Sequence, residues 1–500
     1  MKIIIPDGIH IKEKNFKSLF DFIKEKKITK IIVTKHDDIK SLYGNYNEKI
    51  IKDIDEDLYL KLNDLSKEEL FNYSNKDINL FEISKTEILS YVITLENWYS
   101  LPINNDSIEI YDKLWKENKD ILIKNIVISN FWIDFWFNCI KLNKGITHSI
   151  SFSGSLIYIK SLTKILINTN IKSFLVEHFL TGLDYYFEEK HDYISNNSDI
   201  KLNNYYNSIE LPSKKTIEFE KEKKKSINKF LMRNNKNVKQ PEIDTGLKLE
   251  KNTILILGQV INDFSILEQQ NKIINISYFY INLIEQILKN TDFNIIFKAH
   301  PWENHKINLK KALTKEIIMN FINKKSKNEQ KRIQIVENSN LDYLIENSEY
   351  IVSYCSQSLI ECAFKGKKTI QFGDAFYGKK GFTYDYKYNE IDIFVKDLNN
   401  SKIRKILNKK EWDMFEIFLI KIFQFTLISW HNSGKKSLES KFKIPDVINL
   451  YVKKAPIKKT IIEKTIEKEI IVKKRNYFKL IKKMITKPKQ FIKDSKMMKK

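Results

Sequence analysis

Residues Ile254–Ile266 read ILILGQVINDFSI. Four aliphatic residues in a row suit a buried strand. Gly258, Gln259 and Asp263 follow, so the strand leaves the core for a glycine and two polar side chains. Two readings fit: an ordinary surface turn, or a strand that delivers Asp263 to a working site. The neighbouring strands decide between them.

Downstream, the sequence reads as strand FNIIFKAH, strands RIQIVE and EYIVSY, helix SQSLIECAFKG and strand KTIQFG. A helix, ISYFYINLIEQILKN, separates the first of these from TILIL, the strand that ends at Leu257. NIIFK is followed by His300 and Pro301, with Lys298 as a neighbouring cation. YIVSY is followed by Ser356, Ser358 and Glu361, and TIQFG by Phe376, Tyr377, Gly381, Thr383 and Asp385. Polar residues at the ends of four strands point to a site, because open parallel sheets bind ligands beyond their carboxyl ends.

Upstream, KIII, KIIVTK, EKIIKDI, THSISFSG and KSFLVEH read as strands. NFKSLFDFIKEKK and SGSLIYIKSLTKILINT read as helices. NIVISNFWIDFWFNCI is broken by Asn130, Asp134 and Asn138 and reads as core strand and helix, not a membrane span. A charged segment follows, whose first half could be a helix and whose second half, with Pro241 and Gly246, reads as a linker. The expected fold is α/β, with two doubly wound, Rossmann-like halves facing across a cleft, the GT-B arrangement of many glycosyltransferases. The expected boundaries are 1–235, 250–400, closing helices over 401–450, and a basic tail over 451–500.

The formal net charge is +23, and it is uneven. From Lys453 onward, 18 Lys and Arg face four Asp and Glu, which places about +14 in the tail. YFKLIKKMITKPKQFIKD interleaves Phe478, Leu480, Ile481, Met484, Ile485 and Phe491 with lysines. That composition suits a helix lying on an anionic bilayer, and the plainer alternative is a solvated tail. A nucleic-acid partner is not expected, since the body carries no recognition motif. Three cysteines (Cys139, Cys355 and Cys362) without metal-type spacing point to a reducing compartment. The opening MKIIIPDGIHIKEKNF reads as a short strand rather than a signal peptide. The expected location is cytoplasmic, at the inner face of the membrane.

The candidate site residues suit a nucleotide sugar. Ser356 and Ser358 stand where a helix begins, as plain caps or as part of a phosphate site. Glu361 lies one to two turns on, positioned for ribose hydroxyls or for an ion pair with Lys365. Pro301 keeps His300 extended at its strand end. In the first half, KSFLVEH ends a strand at Glu177 and His178, and Glu177 could act as general acid or base, or as a turn residue. Ser153, Gly154 and Ser155 end another strand in small residues. Asp53, Asp55 and Asp57 lack surrounding ligands and read as a solvated acidic stretch, so neither a metal nor another cofactor is expected.

GQVINDFSI, KAHP, SQSLIECAFKGKKTIQFG and AFYGKKGFTYD resemble the capsule polysaccharide biosynthesis and export family, bacterial retaining β-Kdo (3-deoxy-manno-octulosonic acid) transferases. Order and spacing agree from Thr253 to Asp385, and VEHFLTG resembles the family's acidic motif in the first half. LIECAFKGK and FYGKKGFT depart from the family pattern, the latter without its Trp, and leave another CMP-activated ulosonic acid open as the donor sugar. The resemblance implies Asp263 as nucleophile, Glu177 as acid or base and His300 as a donor ligand. It further implies a CMP-sugar donor bound by Gln259, Lys298, Ser356, Ser358, Glu361, Tyr377 and Thr383, and a lipid-linked glycan acceptor. A transferase for another nucleotide sugar, or a non-catalytic member of a capsule assembly complex, remains the alternative.

Overall fold

The structure is a computed structural model that describes residues 1–234, 252–270, 272–306, 309 and 311–442. The linker residues Pro241 and Gly246 and the basic tail lie outside the described residues.

Fourteen strands are present among the described residues. They are β1 (Lys2–Ile5), β2 (Thr29–Ile32), β3 (Ser74–Asn75), β4 (Ile78–Asn79), β5 (Ile146–Phe152), β6 (Lys172–His178) and β7 (Asp184–Glu189). The rest are β8 (Thr253–Leu257), β9 (Asn294–Lys298), β10 (Ile333–Val336), β11 (Tyr350–Ser353), β12 (Thr369–Gln371), β13 (Thr383–Asp385) and β14 (Leu427–Ser429). Apart from the small β3–β4 hairpin, they form two six-stranded sheets.

The second sheet runs β10-β9-β8-β11-β12-β13, and every pairing in it is parallel. In order of appearance that is 3-2-1-4-5-6, the Rossmann order, which reverses direction between β8 and β11. All five residues of β8 are buried, as its unbroken aliphatic run requires for a strand covered on both faces. The first sheet runs β14-β7-β6-β5-β1-β2. Strands β2, β1, β5 and β6 are parallel, and the order reverses between β1 and β5. Strands β7 and β14 close the other edge in antiparallel pairs. The fold is therefore α/β, with two Rossmann-like halves in the GT-B arrangement.

Two stretches read as strand are helices. EKIIKDI lies within the helix Glu48–Asn63, which Asn47 caps by accepting a hydrogen bond from Ile50 N at 3.0 Å. Ile50, Ile51 and Ile54 then share one face, so the helical period wins over the short apolar run. NIVISNFWIDFWFNCI lies wholly within the helix Lys119–Leu142. Asn130, Asp134 and Asn138 are spaced four apart and mark its outer stripe. Asn130 accepts from Asn75 at 2.8 Å, and Asp134 pairs with Lys76. No helix among the described residues is long and apolar enough to cross a membrane.

The stretch from Lys402 onward contains more than helices. After the helix Lys409–Lys421 and a short π-helical turn, β14 pairs with β7 of the first sheet. Contacts join the halves at several places, among them Leu180 N to Gln357 Oε1 at 3.2 Å and Phe376 N to Asn196 Oδ1 at 2.8 Å. Asn262 Nδ2 donates to Ser90 O at 2.9 Å, and Asn105 Nδ2 to Leu267 O at 2.7 Å. Lys160 and Glu268 form a buried ion pair at 3.1 Å.

Candidate active site

Both sheets turn the ends of β1, β5 and β6, and of β8, β9 and β11, toward one cleft. Two adjoining cavities of about 570 and 520 Å3 occupy it, and His300, Ser356, Ser358 and Glu361 line both. Each volume suits a small ligand.

At the end of β8, Gly258 N donates to Lys298 O at 2.8 Å. A Cβ on Gly258 would sit 2.9 Å from that same oxygen, so glycine allows the two chains to meet there. Gln259 accepts from Cys355 N at 2.8 Å and thereby ties the loop after β8 to the loop after β11. Buried Glu303 accepts from Ile261 N at 3.0 Å and from Thr314 N at 2.9 Å. Held this way, the loop presents Asp263 to the cleft. One carboxylate oxygen of Asp263 accepts from Ser265 N at 2.9 Å and caps the short turn Phe264–Leu267.

His300 and Lys306 stand near Asp263. Burial lowers the His300 imidazole to about 4, and the Asp263 charge opposes that only in part. The ring is therefore neutral at pH 7. Its Nδ1 accepts from Trp302 N at 3.2 Å, which leaves the proton on Nε2. Lys306 donates to Asn262 Oδ1 at 2.7 Å, and burial lowers its ammonium to about 8. Lys298 donates to Glu337 O at 2.9 Å and is lowered to about 8, also by burial.

Ser356 is not the N-cap of the helix Ser358–Phe364; Gln357 holds that position. Ser356 Oγ instead accepts from Ser358 N at 3.3 Å. Glu361 pairs with Arg233 Nε at 3.0 Å, not with Lys365, which pairs with Glu346 at 3.2 Å. Tyr377 and Thr383 do not line either cavity. Tyr377 donates to Ser356 O at 2.7 Å, and Thr383 to Asp385 Oδ1 at 2.8 Å. Tyr377 thereby braces the Ser356 loop, which lines the cleft, and Thr383 holds Asp385, whose carboxylate also accepts from Gln371 at 2.8 Å.

Across the cleft, Glu177 is the last residue but one of β6. Burial pushes its carboxyl up to about 7, although Ser153, Ser195 and the His178 backbone N–H bond to it. Ser195 Oγ donates to it at 3.3 Å and lies 3.1 Å from Ser153 Oγ. Gly154 adopts φ +96°, and a Cβ there would fall 2.3 Å from Asp192 O.

Asp7 and His10 went unmarked in the sequence, although PDGIH follows β1 as GQVIND follows β8. Asp7 accepts from Tyr158 OH at 2.6 Å and from His10 N at 2.7 Å. Burial alone would raise Asp7, but His10 and Tyr158 hold it at about 2. His10 stacks on Phe152 with centroids 5.2 Å apart and lines the cavity with Glu177. Arg233 was also missed, because it follows a helix and no strand announces it. Among the described residues no group of three or more His, Cys, Asp or Glu is placed to hold a metal; Asp53 and Asp57 are exposed on the helix Glu48–Asn63.

Residues 186–410 match the family model described as capsule polysaccharide biosynthesis protein. No curated protein matches the chain. Among solved structures, it is similar to a Thermosulfurimonas dismutans KpsC, a beta Kdo 2,4 transferase, at 16% identity and TM-score 0.37, covering 55% of this chain and 79% of that one. A second KpsC from the same organism, a beta Kdo 2,7 transferase, is 13% identical with TM-score 0.34, covering 62% and 89%. The Methanocaldococcus jannaschii UDP-GlcNAc 2-epimerase is 13% identical with TM-score 0.30, covering 88% and 99%. The resemblance drawn from the motifs is thus borne out at the level of the family: over residues 186–410 this chain matches the capsule polysaccharide biosynthesis proteins.

Proposed function

We propose that the protein is a retaining glycosyltransferase. It moves Kdo, or a related ulosonic acid, from a CMP-activated donor to a lipid-linked surface-glycan acceptor in capsule assembly. The observation that carries this reading is the meeting of Asp263, neutral His300 and the raised carboxyl of Glu177 in one cleft.

The donor occupies the second half, with its nucleotide toward Lys298, Ser356, Ser358 and Glu361. Gln259, Tyr377 and Thr383 serve it indirectly, by fixing the loops. His300 Nε2–H donates to the phosphate as CMP leaves. The Asp263 carboxylate attacks the anomeric carbon, so the C–O bond to phosphate breaks and a glycosyl ester forms. The transition state is oxocarbenium-like, and an adjacent carboxylate stabilises its charge. Ionised Glu177 then takes the acceptor hydroxyl proton, and the acceptor oxygen displaces Asp263. Two displacements retain configuration. A carboxyl poised near neutrality suits this base role.

Residues 1–235 would form the acceptor side and 250–400 the donor side. The basic composition of 451–500 supports docking on the anionic inner leaflet, where a lipid-linked acceptor resides. The decisive experiment is intact-protein mass after incubation with CMP-Kdo generated in place, without acceptor. A gain of one Kdo on the wild type, absent from Asp263→Asn, supports both donor and nucleophile. No gain, and no CMP release with any acceptor tried, counts against this donor.

A further inference from the structure

The cavity of about 570 Å3 is lined by charges of both signs. Two carboxylates line it, Glu361 and Asp342, together with two cations, Lys298 and Arg233. Lys298 already donates to a backbone carbonyl, and burial weakens its hold on its proton. Arg233 is different. The chain uses Lys almost throughout, and only four of its 86 basic residues are Arg. Arg332 is spent on the carbonyls of Leu288, Thr291 and Phe293, and Arg404 pairs with Glu411. Arg233 projects from the end of the helix Ile217–Leu231 in the first half and reaches a cavity built mainly by the second half.

Its guanidinium lies 5.1 Å above the Phe230 ring. Nε donates to Glu361 at 3.0 Å, Nη1 makes a long contact of 3.4 Å to Phe230 O, and Nη2 is 4.0 Å from Asp342. A guanidinium carries five N–H donors in a planar fork, so its remaining donors can meet a second oxyanion. It also keeps its charge when desolvated, which an ammonium does less well. Ser356, Ser358, Lys298 and His300 share the same cavity, so a phosphate seated among them lies beside this fork.

We propose that Arg233 is a phosphate ligand of the donor nucleotide and exchanges Glu361 for that phosphate when the donor binds. The exchange frees Glu361 for the ribose hydroxyls, so one swap prepares both nucleotide contacts. Because Arg233 belongs to the first half, it also makes donor phosphate a tie between the halves. The inference rests on the donor reading above and adds a residue to it.

The test is calorimetric binding of CMP and cytidine, with UMP and uridine alongside, to the full chain. Wild type, Arg233→Gln, Arg233→Lys and Glu361→Gln are compared. Loss of a charge-assisted phosphate contact is expected to weaken CMP binding about tenfold or more in Arg233→Gln. Cytidine, which lacks the phosphate, is expected to bind that variant as it binds wild type, and Arg233→Lys to restore part of the CMP affinity. Glu361→Gln is expected to weaken CMP and cytidine alike. Equal weakening of CMP and cytidine by Arg233→Gln would overturn the phosphate role and leave the arginine a brace for the fold. Unchanged CMP binding would overturn it too, with the donor reading intact. Tighter UMP than CMP binding would correct the base, and the same comparison with uridine would then decide the arginine. Wild type that binds none of the four would overturn both the donor reading and the inference.

Discussion

The Gln259 side chain accepts a hydrogen bond from Cys355 N at 2.8 Å, across the point where the second sheet reverses its strand order. Gln259 is buried, so neither partner has water to fall back on. Gln259→Leu leaves Cys355 N unsatisfied and is expected to cost about 1–3 kcal/mol in urea unfolding. It should also lower kcat/KM, because Asp263 lies on the loop this bond fixes.

Asp263 has two duties: it caps a turn and presents a carboxylate. Asparagine caps helices about as well as aspartate. Asp263→Asn is therefore expected to melt within a few degrees of the wild type while losing at least about a thousandfold in kcat. A comparable drop in melting temperature and activity together would make the residue structural.

Glu177 is expected to set the pH response. Its carboxyl is raised to about 7, so the ionised base gains population as pH rises through that value. The acidic limb of kcat/KM is expected near pH 7, and it should vanish in whatever residual activity Glu177→Gln retains. Stability runs the other way. A raised folded-state pKa favours the protonated carboxyl in the fold, a contribution full below the unfolded value near 4.5 and lost as pH rises through about 7. Glu177→Gln should therefore gain about 1–3 kcal/mol over the wild type at pH 8, and little or none at pH 4.

The ion pair Lys160–Glu268 joins the halves, with side chains 9% and 4% exposed. Removing one partner strands the other charge. Glu268→Leu is expected to cost about 3–5 kcal/mol, and the double variant Lys160→Met/Glu268→Leu much less. A double-mutant cycle by thermal unfolding reads the difference.

Removal of residues 452–500 is expected to abolish binding to vesicles rich in anionic lipid while sparing turnover of a soluble acceptor. Wild-type binding should fall with added salt, because screening weakens attraction to a charged surface. Vesicle flotation at two salt concentrations measures both.

Most of the second half was legible in the sequence because each strand is a short aliphatic run that ends in polar residues. Buried parallel strands must look that way. The first half was harder to read. Ile50 and Ile51 sit side by side, so EKIIKDI imitates a strand until Asn47 is recognised as a cap. Asp7 and His10 obeyed the strand-end rule but lay too near the start to seem part of a cleft. The partnership of Arg233 with Glu361 spans 128 residues, and no local pattern encodes a contact of that range. Tyr377 and Thr383 show the converse. A motif marks that a residue matters, but not whether it touches the ligand or braces the loop that does.

The pairing of β14 with β7 has a consequence for how the molecule is made. Leu427 lies opposite Tyr186 in that pair, so the first sheet gains its last strand only from the far end of the second half. Until Ser429 has left the ribosome, β7 presents an uncovered edge, and such edges recruit other chains. At about 5–20 residues per second, the 240 or so residues between the two strands take roughly 10–50 s to synthesise. Over that interval the nascent first half is open to mispairing, and a transcript cut within the second half would yield a product that cannot close its own sheet.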